Sequence, residues 1–182
     1  MRLVQLLPIG AVDGRWLSRM AARLAPEFAA RCEVLPAALD PEPSFHPGRG
    51  QYCSTELLAR MQRQRDPACW RLLGVTALDL YIPILTFVFG EAQMNGGCAV
   101  VSSHRLRQEF YGLAPDPDVL AERVLKESVH ELGHTLGLTH CEDYNCALAP
   151  SHSVEWIDLK GISLCAECRA RIDNCQLTLA NL

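Results

Sequence analysis

The chain has 182 residues, of which 49% are hydrophobic and 21% are charged. This length and composition predict a globular domain with a real core, and they exclude a largely disordered or low-complexity chain. The formal net charge is −4, so the chain lacks the basic character that nucleic acid or an anionic membrane attracts. We therefore expect neither of those partners.

The apolar stretches are too short or too broken for a membrane span or a secretion signal. The stretch near the start is interrupted by Pro8 and Gly10 and is closed by Asp13, and the strongest later run covers only residues 80–89. A cytoplasmic protein with reduced thiols is therefore expected. Nine cysteines are present, and in that compartment clustered cysteines are first tested as metal ligands.

The first hundred residues predict strands that alternate with helices, which is the pattern of an α/β sheet. The predicted strands are residues 3–9, 33–35, 71–76, 86–89 and 98–103, and the predicted helices are residues 16–24 and 54–64. Four prolines and two glycines in residues 36–51 predict a loop between them. The turn sequence Asn95-Gly96-Gly97 precedes the fifth strand, and we expect this strand at an edge of the sheet.

A longer helix is predicted to begin near Asp116. Its carboxylate can cap the helix, and Pro117 suits the first helical turn. An apolar stripe then follows at spacings of four, three and four residues: Leu125, Val129, Leu132 and Leu136. Gly137 comes directly after this stripe and predicts the end of the helix, because a glycine adopts the left-handed conformation that ends helices sharply.

Three histidines and one glutamate on and after this helix have the spacing of a catalytic zinc site. His130 and His134 lie four residues apart, so their imidazoles share one helical face and can bind one ion. The chain reversal at Gly137 can deliver His140 as the third ligand. Three nitrogen ligands leave one position of a tetrahedral zinc open, and Glu131 can reach a water there without binding the metal.

Four cysteines have the two-pair spacing of a structural zinc site. Four residues separate Cys141 from Cys146, and eighteen more precede the Cys165-x-x-Cys168 pair. Because adjacent residues do not easily face one ion, the third histidine and Cys141 are expected to serve different metals. Four free thiols, two disulfides and a redox-active pair are the alternatives. The remaining cysteines follow no usable pattern: Cys32, Cys53, Cys69, Cys98 and Cys175.

The motif over residues 130–140 resembles the zinc-binding consensus of the metzincin metallopeptidases. The cysteines that follow it are similar to those of one branch, the archaemetzincins. Further similar segments lie upstream: Arg49-x-Gln51-Tyr52, Leu73-Gly74-Val75-Thr76, Asp79-Leu80-Tyr81 and Phe87-Val88-Phe89-Gly90-Glu91-Ala92. The resemblance covers about residues 3–170. It implies a metzincin-like fold, with a twisted mixed sheet of about five strands and an active-site helix, a peptidase site and a structural zinc.

The chain departs from this family pattern at one position. Metzincins place a methionine in a turn beneath the catalytic metal, and the archaemetzincin pattern puts it two residues after the second cysteine. In this chain that position is Leu148. Leucine and methionine have similar volume and hydrophobicity, so such an exchange is usually mild. We therefore expect zinc to bind, with any effect of the exchange falling on the rigidity of the site and on its activity.

These observations predict one metzincin-like catalytic domain over residues 1–182. Residues 1–137 would form an N-terminal lobe with the active-site helix, and residues 138–182 a Cys-rich lobe held by the structural zinc. The expected function is zinc-dependent hydrolysis of peptide bonds, with two zinc ions per chain and with Glu131 as general base on the zinc-bound water. We expect a monomer that acts on peptides or proteins. The alternative is a zinc-binding structural or interaction module with little or no peptidase activity.

Overall fold

A computed structural model gives the fold, and it describes the backbone of residues 2–179 and the side chains of residues 2–172. The elements in chain order are β1 (Leu3–Ile9), α1 (Gly14–Leu24), β2 (Arg31–Val34), β3 (Phe45–His46), β4 (Gln51–Cys53), α2 (Ser54–Gln64), β5 (Arg71–Thr76), β6 (Leu80–Tyr81), β7 (Gly90–Ala92), β8 (Cys98–Ser102), α3 (Pro117–Thr135), α4 (Val154–Leu159) and α5 (Ala166–Leu179). Within this described part of the chain, no helix is both long and apolar enough to cross a membrane.

The main sheet has five strands in the order β2-β1-β5-β8-β7. The first four strands run parallel to one another, and β7 pairs antiparallel with β8 at one edge. The predicted α/β fold with a mixed sheet of about five strands is therefore confirmed. A second, smaller sheet has the order β3-β4-β6, and its strands of two or three residues are too short to give a periodic sequence pattern.

Helices cover both faces of the main sheet. Alternate residues of a strand point to opposite sides, and in this sheet both sides carry apolar side chains. In β1, Val4 and Leu6 pack into a core with side chains of α1 and α3. Leu7 and Ile9, on the other face, pack into a second core with side chains of α2. The sheet therefore separates two cores, and α3 lies on the same face as α1.

Two predictions about the strands of the sheet are wrong. Residues 86–89 form no strand, since their only ladder contact is a single bridge between Leu80 and Val88. The strand after Asn95-Gly96-Gly97 is not at the edge, because β8 pairs with β5 on one side and β7 on the other. The glycine-rich turn joins β7 and β8 as a hairpin, and a hairpin turn places two antiparallel strands side by side. On this side of the sheet the edge strand is therefore β7, and the opposite edge is β2.

The C-terminal region contains more regular structure than the sequence predicts. The sequence after Gly137 shows no helical or strand periodicity, whereas the structure places α4 and α5 there. The six residues of α4 are too few for a recognisable helical period. The side chain of Cys175 lies outside the described residues. The division of the chain into two lobes at Gly137 stays a prediction.

Candidate metal centre

The ends of α3 set the positions of the histidines. At its start, Asp116 Oδ1 accepts hydrogen bonds from the backbone N–H of Asp118 and of Val119, both at 3.0 Å, as predicted for a capping residue. Beyond its last turn, Gly137 has φ +82°, and a β-carbon there would lie 2.1 Å from Asn95 Oδ1. Only glycine fits this position. The chain reverses at this glycine and returns along the helix toward the histidine face.

The three histidines come together as the motif predicts. One ligand nitrogen from each of His130, His134 and His140 lies within 4.8 Å of the other two. His130 Nδ1 lies 2.9 Å from the carbonyl oxygen of Ala147, and His134 Nδ1 lies 2.7 Å from that of Leu138. A carbonyl only accepts hydrogen bonds, so both Nδ1 atoms carry hydrogen and both Nε2 atoms carry a lone pair.

The geometry of the Nε2 atoms fits a metal cation. The Nε2 atoms of His130 and His134 lie 3.0 Å apart. Two lone pairs that face each other at this distance repel unless a cation lies between them. Two Zn–N bonds of about 2.05 Å in a tetrahedron place the nitrogens about 3.3 Å apart, close to the observed separation. The donor set therefore fits zinc, and the carbonyl acceptors fix the ring orientation.

The electrostatic setting favours the neutral imidazole of His130 and of His140, as metal ligation requires. Burial lowers the pKa of His130 well below its usual range, and the nearby Lys160 ammonium lowers it further. Burial also lowers the pKa of His140, with a smaller effect from His134. These two neutral rings offer a free nitrogen lone pair at physiological pH, so neither has to lose a proton before a cation binds.

Glu131 lies beside the histidines, buried at the floor of a cleft. The residue is only 6% exposed, and burial raises the pKa of its carboxyl group well above the ordinary value. Gly90 at the start of β7 packs directly against it, since a β-carbon on this glycine would lie 2.7 Å from Glu131 Cγ. The absence of a side chain at residue 90 is therefore what allows the glutamate to occupy its place.

A cleft of about 460 Å³ opens above these residues. Two chain segments line it, residues 85–91 and residues 150–152, together with His130, Glu131 and His134. The first segment includes part of β7, the strand at the open edge of the sheet. The candidate metal ligands, the buried carboxylate and a free strand edge therefore meet in one groove.

The four predicted cysteines form a second group. Their sulfur atoms all lie within 4.8 Å of one another, and Cys141 Sγ is 3.8 Å from Cys165 Sγ. This separation is far beyond a disulfide bond of about 2.05 Å, and it matches the edge of a tetrahedron with Zn–S bonds of about 2.3 Å. The backbone N–H of Cys168 points to Cys165 Sγ and contributes most to lowering the pKa of that thiol. This geometry favours a metal site over disulfides.

One short segment, the turn of residues 146–149, contacts both candidate sites. Its first residue is one of the four cysteines. Ala147 provides the carbonyl oxygen that accepts the hydrogen bond of His130. The carbonyl oxygen of Leu148 accepts a hydrogen bond of 3.0 Å from the backbone N–H of Cys141. A displacement of this turn would therefore disturb both sites.

Comparison with known proteins identifies the family. The sequence model of peptidase family M54 matches residues 45–174. The archaemetzincin of Methanocaldococcus jannaschii is 40% identical over 167 residues, which cover 92% of this chain and 90% of that protein. The chain belongs to the archaemetzincin family. The archaemetzincin of Thermococcus kodakarensis is 35% identical and aligns over 94% of this chain and 96% of its own length.

Solved structures of archaemetzincins and of a related zinc peptidase share the fold. The archaemetzincin of Archaeoglobus fulgidus, solved with malonate, has a TM-score of 0.79 at 37% identity and covers 93% of this chain and 99% of its own. A zinc-dependent peptidase from Methanocorpusculum labreanum has a TM-score of 0.83 at 30% identity, with the same coverage. The predicted family is thus confirmed, and the chain is a zinc metallopeptidase rather than a non-enzymatic zinc module.

Leu148 occupies the position at which the archaemetzincin pattern has methionine, and it is fully buried beneath the histidine helix. Its Cδ2 atom lies 3.0 Å from where a β-carbon on Gly133 would be, so it packs directly on the helix between the two motif histidines. Leucine therefore fills the space under the site.

Truncation of this side chain is expected to loosen the site. We expect Leu148→Ala to lower the free energy of unfolding by about 2–5 kcal/mol, because it leaves a cavity under α3. Leu148→Met should change it by less than about 1.5 kcal/mol, because the volume is conserved. Urea unfolding followed by circular dichroism measures both changes. Equal stabilities of the two variants would contradict the packing role of Leu148.

A methyl group at Gly90 is expected to displace the glutamate. In Gly90→Ala the added carbon would collide with the Glu131 side chain and with the carbonyl oxygen of Val100, each at 2.7 Å. A misplacement of about 1 Å costs about 100-fold in rate, so we expect kcat to fall by that order while zinc content stays unchanged. Gly14→Ala is the matched control, since a β-carbon there meets nothing within 4 Å. Wild-type kcat in Gly90→Ala would refute this account.

Two residues next to the site escaped the sequence analysis. Lys160 stands near Glu155 and Asp158 in the sequence, a charged stretch of the kind that is usually exposed to solvent, but it is only 2% exposed. Its Nζ lies 2.7 Å from Glu127 Oε1, in an ion pair beside His130. One signal was available in the sequence, because Glu127 lies three residues before His130 and so on the same helical face. Nothing local indicates that the lysine reaches this face.

Proposed function

We propose that the chain hydrolyses peptide bonds in this cleft, with zinc held by His130, His134 and His140 and with Glu131 as general base. The observation that carries the proposal is the orientation of the two helical imidazoles. Each donates its Nδ1 hydrogen to a backbone carbonyl, and the two Nε2 atoms face each other at 3.0 Å. This arrangement is costly without a cation and favourable with one.

A zinc ion held by His130, His134 and His140 would supply Lewis-acid chemistry, polarising the scissile carbonyl and lowering the pKa of water to about 7. The protein contributes the proton transfers. The Glu131 carboxylate accepts a proton from the attacking water at one of its Oε atoms and later donates it to the amine of the leaving peptide. Its burial beside Gly90 restricts the side chain to the floor of the cleft, where both partners of this transfer arrive.

The strand β7 is the proposed binding edge for substrate. It pairs with β8 on one side only, and Gly90 and Glu91 line the cleft. The free N–H and C=O groups of an edge strand can pair with an extended peptide, which fixes the peptide backbone relative to the site. The strand of residues 98–103, which the sequence places at an edge, is paired on both sides in the structure, so β7 is the strand beside the cleft with free backbone groups.

We propose a second, structural zinc at Cys141, Cys146, Cys165 and Cys168. Four thiolates complete a tetrahedron, so such a site leaves no position for substrate or water. Cys165 directly precedes α5 and Cys168 lies in its first turn, so a metal at these sulfurs would fix the start of that helix. The proposed total is therefore two zinc ions per chain.

Peptide hydrolysis with and without chelator tests the proposed function. Zinc-loaded protein is incubated with a mixed panel of unstructured peptides, and the products are identified by mass spectrometry. We expect cleavage that stops when a chelator removes the metal and returns when zinc is added back. Cleavage that persists in the chelated protein, or zinc-loaded protein that cleaves no member of a diverse panel, would contradict the proposal.

A further inference from the structure

A buried ion pair lies directly behind the first histidine. Lys160 Nζ is 2.7 Å from Glu127 Oε1, and the two side chains are 0% and 5% exposed. The same nitrogen is 3.4 Å from His130 Nδ1. We propose that Glu127 neutralises Lys160 so that a divalent cation can bind at the histidines. Glu127 is then a positioning residue that acts through Lys160, and the inference rests on the proposed role of His130 as a metal ligand.

Lys160 connects three parts of the chain. It follows the last residue of α4, and its ammonium reaches both α3, through Glu127, and the carbonyl oxygen of Ala149 at 3.4 Å. Ala149 is the last residue of the turn of residues 146–149, which holds the His130 ring through Ala147. An apolar side chain at this position could fill the space but could not donate to that carbonyl.

This anchor places a positive charge against a metal ligand. An ammonium group held against the ring of a metal ligand opposes the binding of a divalent cation on the other side of that ring, and the repulsion is strong where water does not screen it. Among the side chains that the structure describes, Glu127 is the one ion-pair partner of Lys160. Without this carboxylate, the lysine would either repel the metal or draw the nearby Glu131 carboxylate away from the cleft.

Glu127 is not placed as a ligand itself. The group of candidate ligand atoms within the described residues contains the three histidines and does not include its carboxylate. Its contact is with the lysine, on the Nδ1 side of the His130 ring, whereas the metal faces Nε2. An effect of Glu127 on metal affinity would therefore pass through Lys160.

Cobalt binding to the histidine site tests this inference without an activity assay. Protein whose thiolate site is filled with one equivalent of zinc is titrated with Co²⁺, and the visible absorption of the bound ion is recorded. For Glu127→Gln, which keeps the size of the side chain but removes its charge, we expect the dissociation constant for Co²⁺ to rise about 10- to 100-fold.

The double variant Glu127→Gln/Lys160→Met separates charge from packing. It removes both charges together, so we expect its Co²⁺ affinity to recover to within about fivefold of the wild-type value, in a strongly non-additive cycle. Glu122→Gln is the matched control, since it also removes the carboxylate partner of a buried lysine. Glu122 Oε1 lies 2.8 Å from Nζ of Lys126, which is in α3. We expect this control to bind Co²⁺ like the wild type.

Several outcomes would overturn the inference. Wild-type affinity in Glu127→Gln would do so, because the charge of Glu127 would then have no effect on metal binding. A double variant as weak as Glu127→Gln would also do so, because the carboxylate would then not act through the charge of Lys160. If Glu127→Gln does not fold, Lys160→Met decides the question. We expect it to bind Co²⁺ with less than a tenfold loss of affinity, because the repelling ammonium is gone, and a loss of tenfold or more would overturn the inference. Wild-type protein that binds no Co²⁺ outside the thiolates would refute the proposed metal site as well.

Discussion

Replacement of Glu131 by glutamine is expected to reduce kcat/KM for peptide hydrolysis by about 10²–10⁴-fold, the usual contribution of a positioned general base. Glutamine has nearly the same shape, so it fits against Gly90, but its amide cannot accept a proton from water. The three histidines are untouched, and we expect the zinc content to stay at the wild-type value. Steady-state kinetics and elemental analysis of the same preparation measure the two quantities.

The control for this variant is Glu122→Gln, a substitution of the same type on the same helix. Glu122 is half exposed and pairs with Lys126, away from the cleft. It should leave kcat/KM within about twofold of the wild type, because Glu122 pairs with Lys126 and does not line the cleft. A Glu131→Gln enzyme that keeps full activity with bound zinc would exclude Glu131 as the general base.

Loss of one thiolate is expected to damage both metal sites. In Cys146→Ser a hydroxyl replaces a zinc-binding sulfur at the first residue of the turn of residues 146–149. Structural zinc sites contribute on the order of 10 kcal/mol to folding, which is comparable to the whole stability of a domain. We therefore expect at least one zinc per chain to be lost, a lower melting temperature, and proteolytic cleavage between residues 141 and 172.

The histidine site is expected to weaken in the same variant because Ala147 adjoins the substituted residue and holds the ring of His130. Cys32→Ser serves as the control, since Cys32 is half-buried in β2 and belongs to no candidate metal group among the described residues. Elemental analysis, thermal melts and limited proteolysis follow the changes. Retention of wild-type zinc content and melting temperature by Cys146→Ser would contradict a structural metal at this position.

The features that the sequence predicts well are those that depend on local spacing. The capping Asp116, the helical positions of His130 and His134, and the reversal at Gly137 all follow from helix geometry over a few residues, and the structure places them accordingly. The four cysteines also converge as their spacing indicates. Local spacing predicts these features because the position of a residue along a helix determines the direction in which its side chain points.

The features that the sequence did not predict depend on pairing between distant segments. The glycine-rich turn at residues 95–97 is compatible with both a strand boundary and a hairpin, and only the pairing of β7 with β8 distinguishes them. Lys160 reads as a surface residue because most lysines are exposed. Lys160 is buried because the end of α4 packs against α3, where its ammonium forms an ion pair with Glu127.

Zinc stoichiometry measured by elemental analysis decides whether the chain holds two separate metal ions. The wild-type chain, equilibrated with zinc and freed of excess metal, should contain two zinc ions, and His130→Ala/His134→Ala should contain one. The remaining ion should be the one held by Cys141, Cys146, Cys165 and Cys168. A wild-type chain with fewer than two zinc ions, or a histidine variant that retains both, would contradict the account of separate catalytic and structural sites.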